Sequence, residues 1–226
     1  MGELKKLTAF EFRLIFKNPL FVGILCVISL LFPIIVFLLE NQKDDTYWIL
    51  SFHIQMIMTI LASSTFVSFL WNEEIESFIP EVILNKLEKP YYYLICKSIV
   101  IWMVVVLSLF FINALLMVMS GDLSLLLLLQ LLFISISTIG FSIQLVFFLS
   151  LLLKRIVYIN IFIIIFFLIG ITINQPILSI WFNPDVFKQY MLNGSASFFI
   201  GRLILFLMAV FLLVLNSYIF TRRIRV

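Results

Sequence analysis

The chain has 226 residues, 64% of them hydrophobic and 12% charged, with a formal net charge of +3 and a mean hydropathy of +1.22. That balance is too apolar for a soluble domain of this length and makes lipid the solvent for most of the chain. The small positive excess calls for no nucleic-acid partner, because the uneven sidedness of Lys and Arg about the membrane accounts for it.

At the N-terminus, residues 1–18 read as an interfacial helix. On a helical wheel Lys6, Arg13 and Lys17 lie within about 40° of one another, opposite Leu4, Leu7, Leu14 and Ile15. Such a helix meets anionic lipid headgroups with its basic face and sinks its apolar face into the acyl boundary, and Pro19 marks the break before the first apolar run. That run is too long for the core of a secretory signal, and no small-residue cleavage site precedes Glu40, so it is expected to be retained.

Six apolar runs fill most of the chain, at 19–39, 47–71, 94–119, 123–153, 156–173 and 199–220. A bilayer core of about 30 Å takes roughly 20 helical residues, so each run is a candidate span. Barrel strands would alternate apolar and polar residues, whereas Leu125–Leu129 and Ile161–Ile169 are apolar on every side. The expected fold is an all-α polytopic bundle in one domain. Cys26 and Cys96 show no paired or metal-ligating spacing, and neither a metal site nor a disulfide is expected.

The longest polar stretch between runs is 72–90. Within it Ile75, Phe78, Ile79, Val82, Ile83 and Leu87 form one apolar stripe, and Glu73, Glu74, Glu76, Glu81 and Glu88 occupy much of the remainder. Pro80 cannot donate to the carbonyl of Glu76, so the preceding helix should end near Ser77 and a short helix run from Pro80 to about Glu88, stopped by Pro90. Its acidic character suits a protein groove with basic edges better than anionic lipid.

The runs contain no Asp or Glu, the mid-membrane carboxylates on which ion-coupled transport usually depends. No phosphate-binding glycine loop can be built from the seven scattered glycines, so the chain is not expected to be an enzyme or to bind a cofactor itself. His53 and Gln55 lie about 200° apart on a helix and share no face. A membrane protease reading of Glu73-Glu74 fails because Phe78 stands where that motif needs Arg. The buried polar residues Asn113, Ser135, Ser137, Gln144, Asn160 and Asn216 read chiefly as hydrogen-bonding glue between helices. Twelve of the 15 Lys and Arg residues fall on the side of the termini, against Lys43, Lys188 and Arg202 on the other. Both termini are therefore expected in the cytoplasm. The Phe-, Ile- and Lys-rich usage suits a bacterial plasma membrane.

Over its whole length the chain resembles the membrane subunit of the type-2 ABC exporters, the permease family that includes drug, polysaccharide and bacteriocin-immunity transporters. The likeness lies in Glu11-Phe12-Arg13-Leu14-Ile15-Phe16-Lys17-Asn18-Pro19, similar to that family's elbow helix, and in the acidic segment followed by Pro90 and Lys97. Asn174 to Phe198 is similar to its external re-entrant helices. Asn72-Glu73-Glu74-Ile75-Glu76-Ser77 departs from the family's commoner Glu-Arg-Glu-x-Gly order. The resemblance implies a cytoplasmic ABC ATPase partner that binds ATP and Mg, and a second permease copy or a sister permease. It makes the helix opened by Pro80 the coupling element, with Ile79, Val82, Ile83 and Leu87 seated in the partner. Glu73, Glu76, Glu81 and Glu88 would then set its register, and Lys154-Arg155 would make a second contact. It places Gln55, Met56, Thr59 and Ser63 with Asn160 and Phe166 along the substrate pathway. The cargo implied is amphipathic or hydrophobic, such as a peptide toxin, an antimicrobial peptide or a drug. Two other readings stand: a membrane anchor or sensor whose 72–89 helix docks a signalling partner, and the substrate-binding subunit of a vitamin importer. The latter is disfavoured because Leu20–Leu39 lacks the alanines of its Ala-x-x-x-Ala patch.

Overall fold

A computed structural model describes residues 2–27, 32–39, 45–76, 89, 91–121, 125–153, 155–172 and 196–224. They form eight helices: α1 Gly2–Lys17, α2 Pro19–Cys26, α3 Phe32–Leu39, α4 Asp45–Glu76, α5 Tyr91–Ser120, α6 Leu125–Leu153, α7 Ile156–Thr172 and α8 Ala196–Ile224. No strand occurs among the described residues. The expected coupling helix, from Pro80 to about Glu88, lies outside the described residues together with Ile79, as do Lys154 and all of the 174–198 segment except Ala196–Phe198, which belong to α8.

Four helices carry stretches long and apolar enough to cross a membrane: α4, through Ile54–Trp71, and α5, α6 and α8. The protein is thus membrane-embedded and helical throughout its spanning elements among the described residues, because continuous helix satisfies every backbone group where no water can. At 17 residues α7 rises about 26 Å, a little short of the hydrocarbon thickness. The run read as 19–39 appears as two eight-residue helices, α2 and α3. Asn18 caps α2 by accepting from Phe21 N–H at 3.2 Å, with Pro19 at the first helical position, where a missing N–H leaves no bond unmade. Gly121 ends α5 with φ at 81°, a conformation that costs a glycine nothing.

α6 is the centre of the bundle, touching α4, α5, α7 and α8. Its middle, Ser135 to Ser142, is rich in small residues, which let neighbouring helices approach closely in lipid. Gly140 is the tightest point. A methyl group there would run into the six-membered ring of Trp102 on α5, whose Nε1–H donates to the Ile136 carbonyl at 3.0 Å.

The polar glue divides by side-chain length. Asn113 on α5 donates to Gln55 Oε1 on α4 at 2.8 Å, and Ser68 on α4 donates to Asn160 Oδ1 on α7 at 3.3 Å. Asn216 on α8 donates to the Gln144 carbonyl on α6 at 2.9 Å. Ser135 and Ser137 instead donate to carbonyls of their own helix, at Leu131 and at Ile134. They join helices by being small, and the longer amides supply the bonds between helices.

Candidate functional site

At one end of the bundle the C-terminal parts of α4, α6 and α8 meet the start of α5. Trp71 on α4 gathers them: its ring lies 5.4 Å from Phe147 of α6, 5.5 Å from Phe220 of α8 and 6.3 Å from Tyr93 of α5. One helical turn from Trp71, Glu74 is buried as well.

Lys97, near the start of α5, is 2% exposed and holds two carboxylates. Its Nζ donates to Glu11 Oε2 of α1 at 3.1 Å and also to Glu74 Oε1 of α4. The Tyr93 hydroxyl donates to Glu74 Oε2 at 2.7 Å and accepts from Lys97 at 3.3 Å. Burying three charged groups carries a large desolvation cost, offset only because each finds partners of opposite sign or a hydroxyl. Burial pushes the Glu11 carboxyl above the ordinary range; Lys97 opposes the shift and Glu74 adds to it.

The wheel reading of α1 named Lys6, Arg13 and Lys17, and all three are exposed. It gave Ile15 to the acyl boundary and did not name Glu11, and these two lie on the side that docks. Glu11 and Ile15, fully or nearly buried one turn apart, face α5, and Thr8 bonds Cys96 Sγ at 3.5 Å. Phe10, Phe12, Leu14 and Phe16 are left exposed around the docked stripe. α1 is therefore clamped to the bundle by charge while an apolar surface remains for lipid. The signal in the sequence was Glu11 itself, an acid spaced one turn from Leu7 and Ile15 on the side away from the lysines.

The clamp fixes the stem of the acidic segment. Glu74 lies two residues before α4 ends at Glu76, directly ahead of 77–88. Glu73 and Glu76 belong to the same last turns, with side chains outside the described residues. Arg155 is exposed between α6 and α7. With Arg222 near the end of α8, it places two cations at the end of the bundle where the network lies.

The residues expected along a pathway fall into two groups. Gln55, Met56, Thr59 and Ser63 are all buried on α4. Thr59 and Ser63 line a small cavity of about 20 Å³ with Phe21, Phe66 and Val105. Asn160 and Phe166 lie on α7: Asn160 accepts from Ser68, and Phe166 stacks on Phe162 at 6.1 Å. Neither Asn160 nor Phe166 lines the cavity at Thr59 and Ser63, but the bond from Ser68 to Asn160 joins α7 to α4. The side chain of His53 lies outside the described residues, and no group of metal-ligating side chains occurs among those described.

Fold and site together define a helical membrane protein with an ionic clamp between an amphipathic N-terminal helix and the stem of an acidic segment. Comparison with protein-family models, with curated proteins and with solved structures finds no match.

Proposed function

We propose that the chain is the permease subunit of an ATP-driven exporter of the type-2 ABC kind, with six spans and both termini in the cytoplasm of a bacterial cell. One observation carries this reading. The buried Glu11–Lys97–Glu74 network joins the amphipathic helix α1 to the stem of the segment whose acidic, amphipathic pattern suits a partner protein. A force applied at 77–88 by a cytoplasmic ATPase would pass through Glu74 and Lys97 into α5 and α1 together. Lipid-facing and core helices would then move as one piece. The chain has no phosphate-binding loop, so the energy comes from the partner, which binds ATP and Mg. A second permease copy or a sister chain completes the pathway, and the cargo is an amphipathic or hydrophobic molecule taken from the membrane.

The test is a mild-detergent pull-down of the tagged full-length chain from its native membrane, with mass spectrometry and an ATPase assay on the eluate. A stoichiometric nucleotide-binding protein that is lost in the Val82→Asp/Ile83→Asp variant supports the exporter. Recovery of the chain alone, or with a partner lacking a phosphate-binding loop, removes the exporter reading in favour of an anchor or sensor.

A further inference from the structure

α1 lies against the bundle through few residues. Among its described side chains only Glu11 and Ile15 are fully or nearly buried, and Thr8 adds a bond to Cys96 Sγ of α5 at 3.5 Å. Phe10, Phe12, Leu14 and Phe16 are exposed, as are the cations Lys6, Arg13 and Lys17. A helix of that composition is at home in a lipid interface whether or not it touches the bundle. A single residue, Asn18, joins it to α2, and Pro19 has no N–H to bond back across that joint.

The charged contact is unequally shared. Lys97 Nζ has three N–H donors, and Glu11, Glu74 and the Tyr93 hydroxyl take one each. Glu11 Oε2 receives its bond at 3.1 Å, whereas Oε1 is buried and has no hydrogen-bond partner among the described residues. An ionised carboxylate is half satisfied there, and a proton on Oε1 removes the charge while Oε2 still accepts from Lys97. Withdrawing Glu11 does not strand Lys97, because Glu74 and Tyr93 still accept from it. Lys97 and Glu74 thus form a fixed seat, and Glu11 is its removable member.

From this arrangement we infer that α1 is a proton-governed latch: it seats on α5 with a proton on Glu11 and swings out to the lipid interface when Glu11 ionises. The titratable groups that face Glu11 are Lys97, Tyr93 and Cys96 from α5 and Glu74 from α4. The only titratable side chain of α2 is Cys26, at its far end. Burial is the largest influence on Glu11 and favours the proton; Lys97 opposes it and Glu74 favours it. Seating is therefore firmest at low pH and weakens as pH rises above the ordinary 4.5 through the raised value of the seated carboxyl. The latch is independent of the exporter reading, since it needs only α1, α4 and α5.

The experiment is double electron–electron resonance on the full-length chain in lipid nanodiscs, carrying Cys26→Ser and Cys96→Ser. Nitroxides are placed at Ala9→Cys of α1 and Leu107→Cys of α5, both exposed positions. One distance is expected at pH 4. Towards pH 8 a second population should grow at a different distance, its ratio to the first rising by up to about tenfold per pH unit, the slope of one linked proton. Glu11→Gln, neutral at every pH, should hold the single seated distance throughout. A reference pair within the bundle, Leu107→Cys on α5 with Val214→Cys on α8, should not move. The inference is overturned if the distance from α1 to α5 is the same across the range, if Glu11→Gln responds like the parent, or if the reference pair shifts as well. Should Glu11→Gln fail to fold, the parent titration and the reference pair decide alone.

Discussion

Lys97 is the residue on which the clamp turns, since among the described residues it alone holds two buried carboxylates on two other helices. Lys97→Met is expected to cost about 3–5 kcal/mol in an SDS-unfolding titration, because Glu11 then stays buried without its cation and Glu74 loses its bond to Lys97. The triple variant with Glu11→Gln and Glu74→Gln should recover much of that loss; a triple variant no better than the single one would show that packing, not charge, is responsible. The pH dependence comes from Glu11. Burial raises its folded carboxyl above the ordinary value of 4.5, so the folded chain holds that proton more tightly than the unfolded chain. Its contribution to stability is thus greatest at low pH and declines as pH rises from about 4.5 through the raised value. Thermal unfolding between pH 4 and 8 should show this decline in the parent chain and a flatter profile in Glu11→Gln. At Gly140 the constraint is steric. Gly140→Ala pushes against Trp102 and is expected to lose about 1–3 kcal/mol, and pairing it with Trp102→Phe should return part of the loss.

Among the elements, α1 and α6 part most clearly from a reading by hydropathy. α1 has a basic side in full view of the sequence, yet its position depends on Glu11, which the wheel leaves unremarked, and on Ile15, which the wheel assigns to the lipid-facing side. α6 reads as the longest apolar run; its burial is due to small residues at Ser135–Ser142 that seat it among four neighbours. The α4–α5 contact offers a test at this scale. Asn113→Leu strips Gln55 Oε1 of its donor and should cost about 1 kcal/mol, whereas Gln55→Leu/Asn113→Leu should cost less than either change alone. A double variant as weak as the sum of the two singles would deny that bond any role.

For the whole molecule, the order of helices makes a topological prediction. Leu125 starts α6, Arg155 lies just past its end, and Arg222 lies near the end of α8, parallel to α6. In a chain with Cys26 and Cys96 replaced, Arg155→Cys and Arg222→Cys should react with a membrane-impermeant maleimide from one face, and Leu125→Cys from the other. Under the proposed orientation the shared face of Arg155 and Arg222 is the cytoplasmic one. Labelling of all three from one side would remove α6 from the list of spans.

Much of this protein is set by its composition. Runs of Leu, Ile and Phe long enough to cross lipid require helices, because no other backbone arrangement satisfies its own polar groups there, and that requirement is local. Asn18 and Pro19 set a helix boundary for the same reason: a cap and a fixed φ act within one turn. What hydropathy could not supply was the company of the charges. Lys97 and Arg202 look like interfacial cations when counted along the chain, but the first is enclosed by acids 86 and 23 residues away. The second closes a cavity between helices that α7 separates in sequence. Whether a buried charge is a loss or a joint depends on which helices pack side by side, and only the tertiary structure decides that.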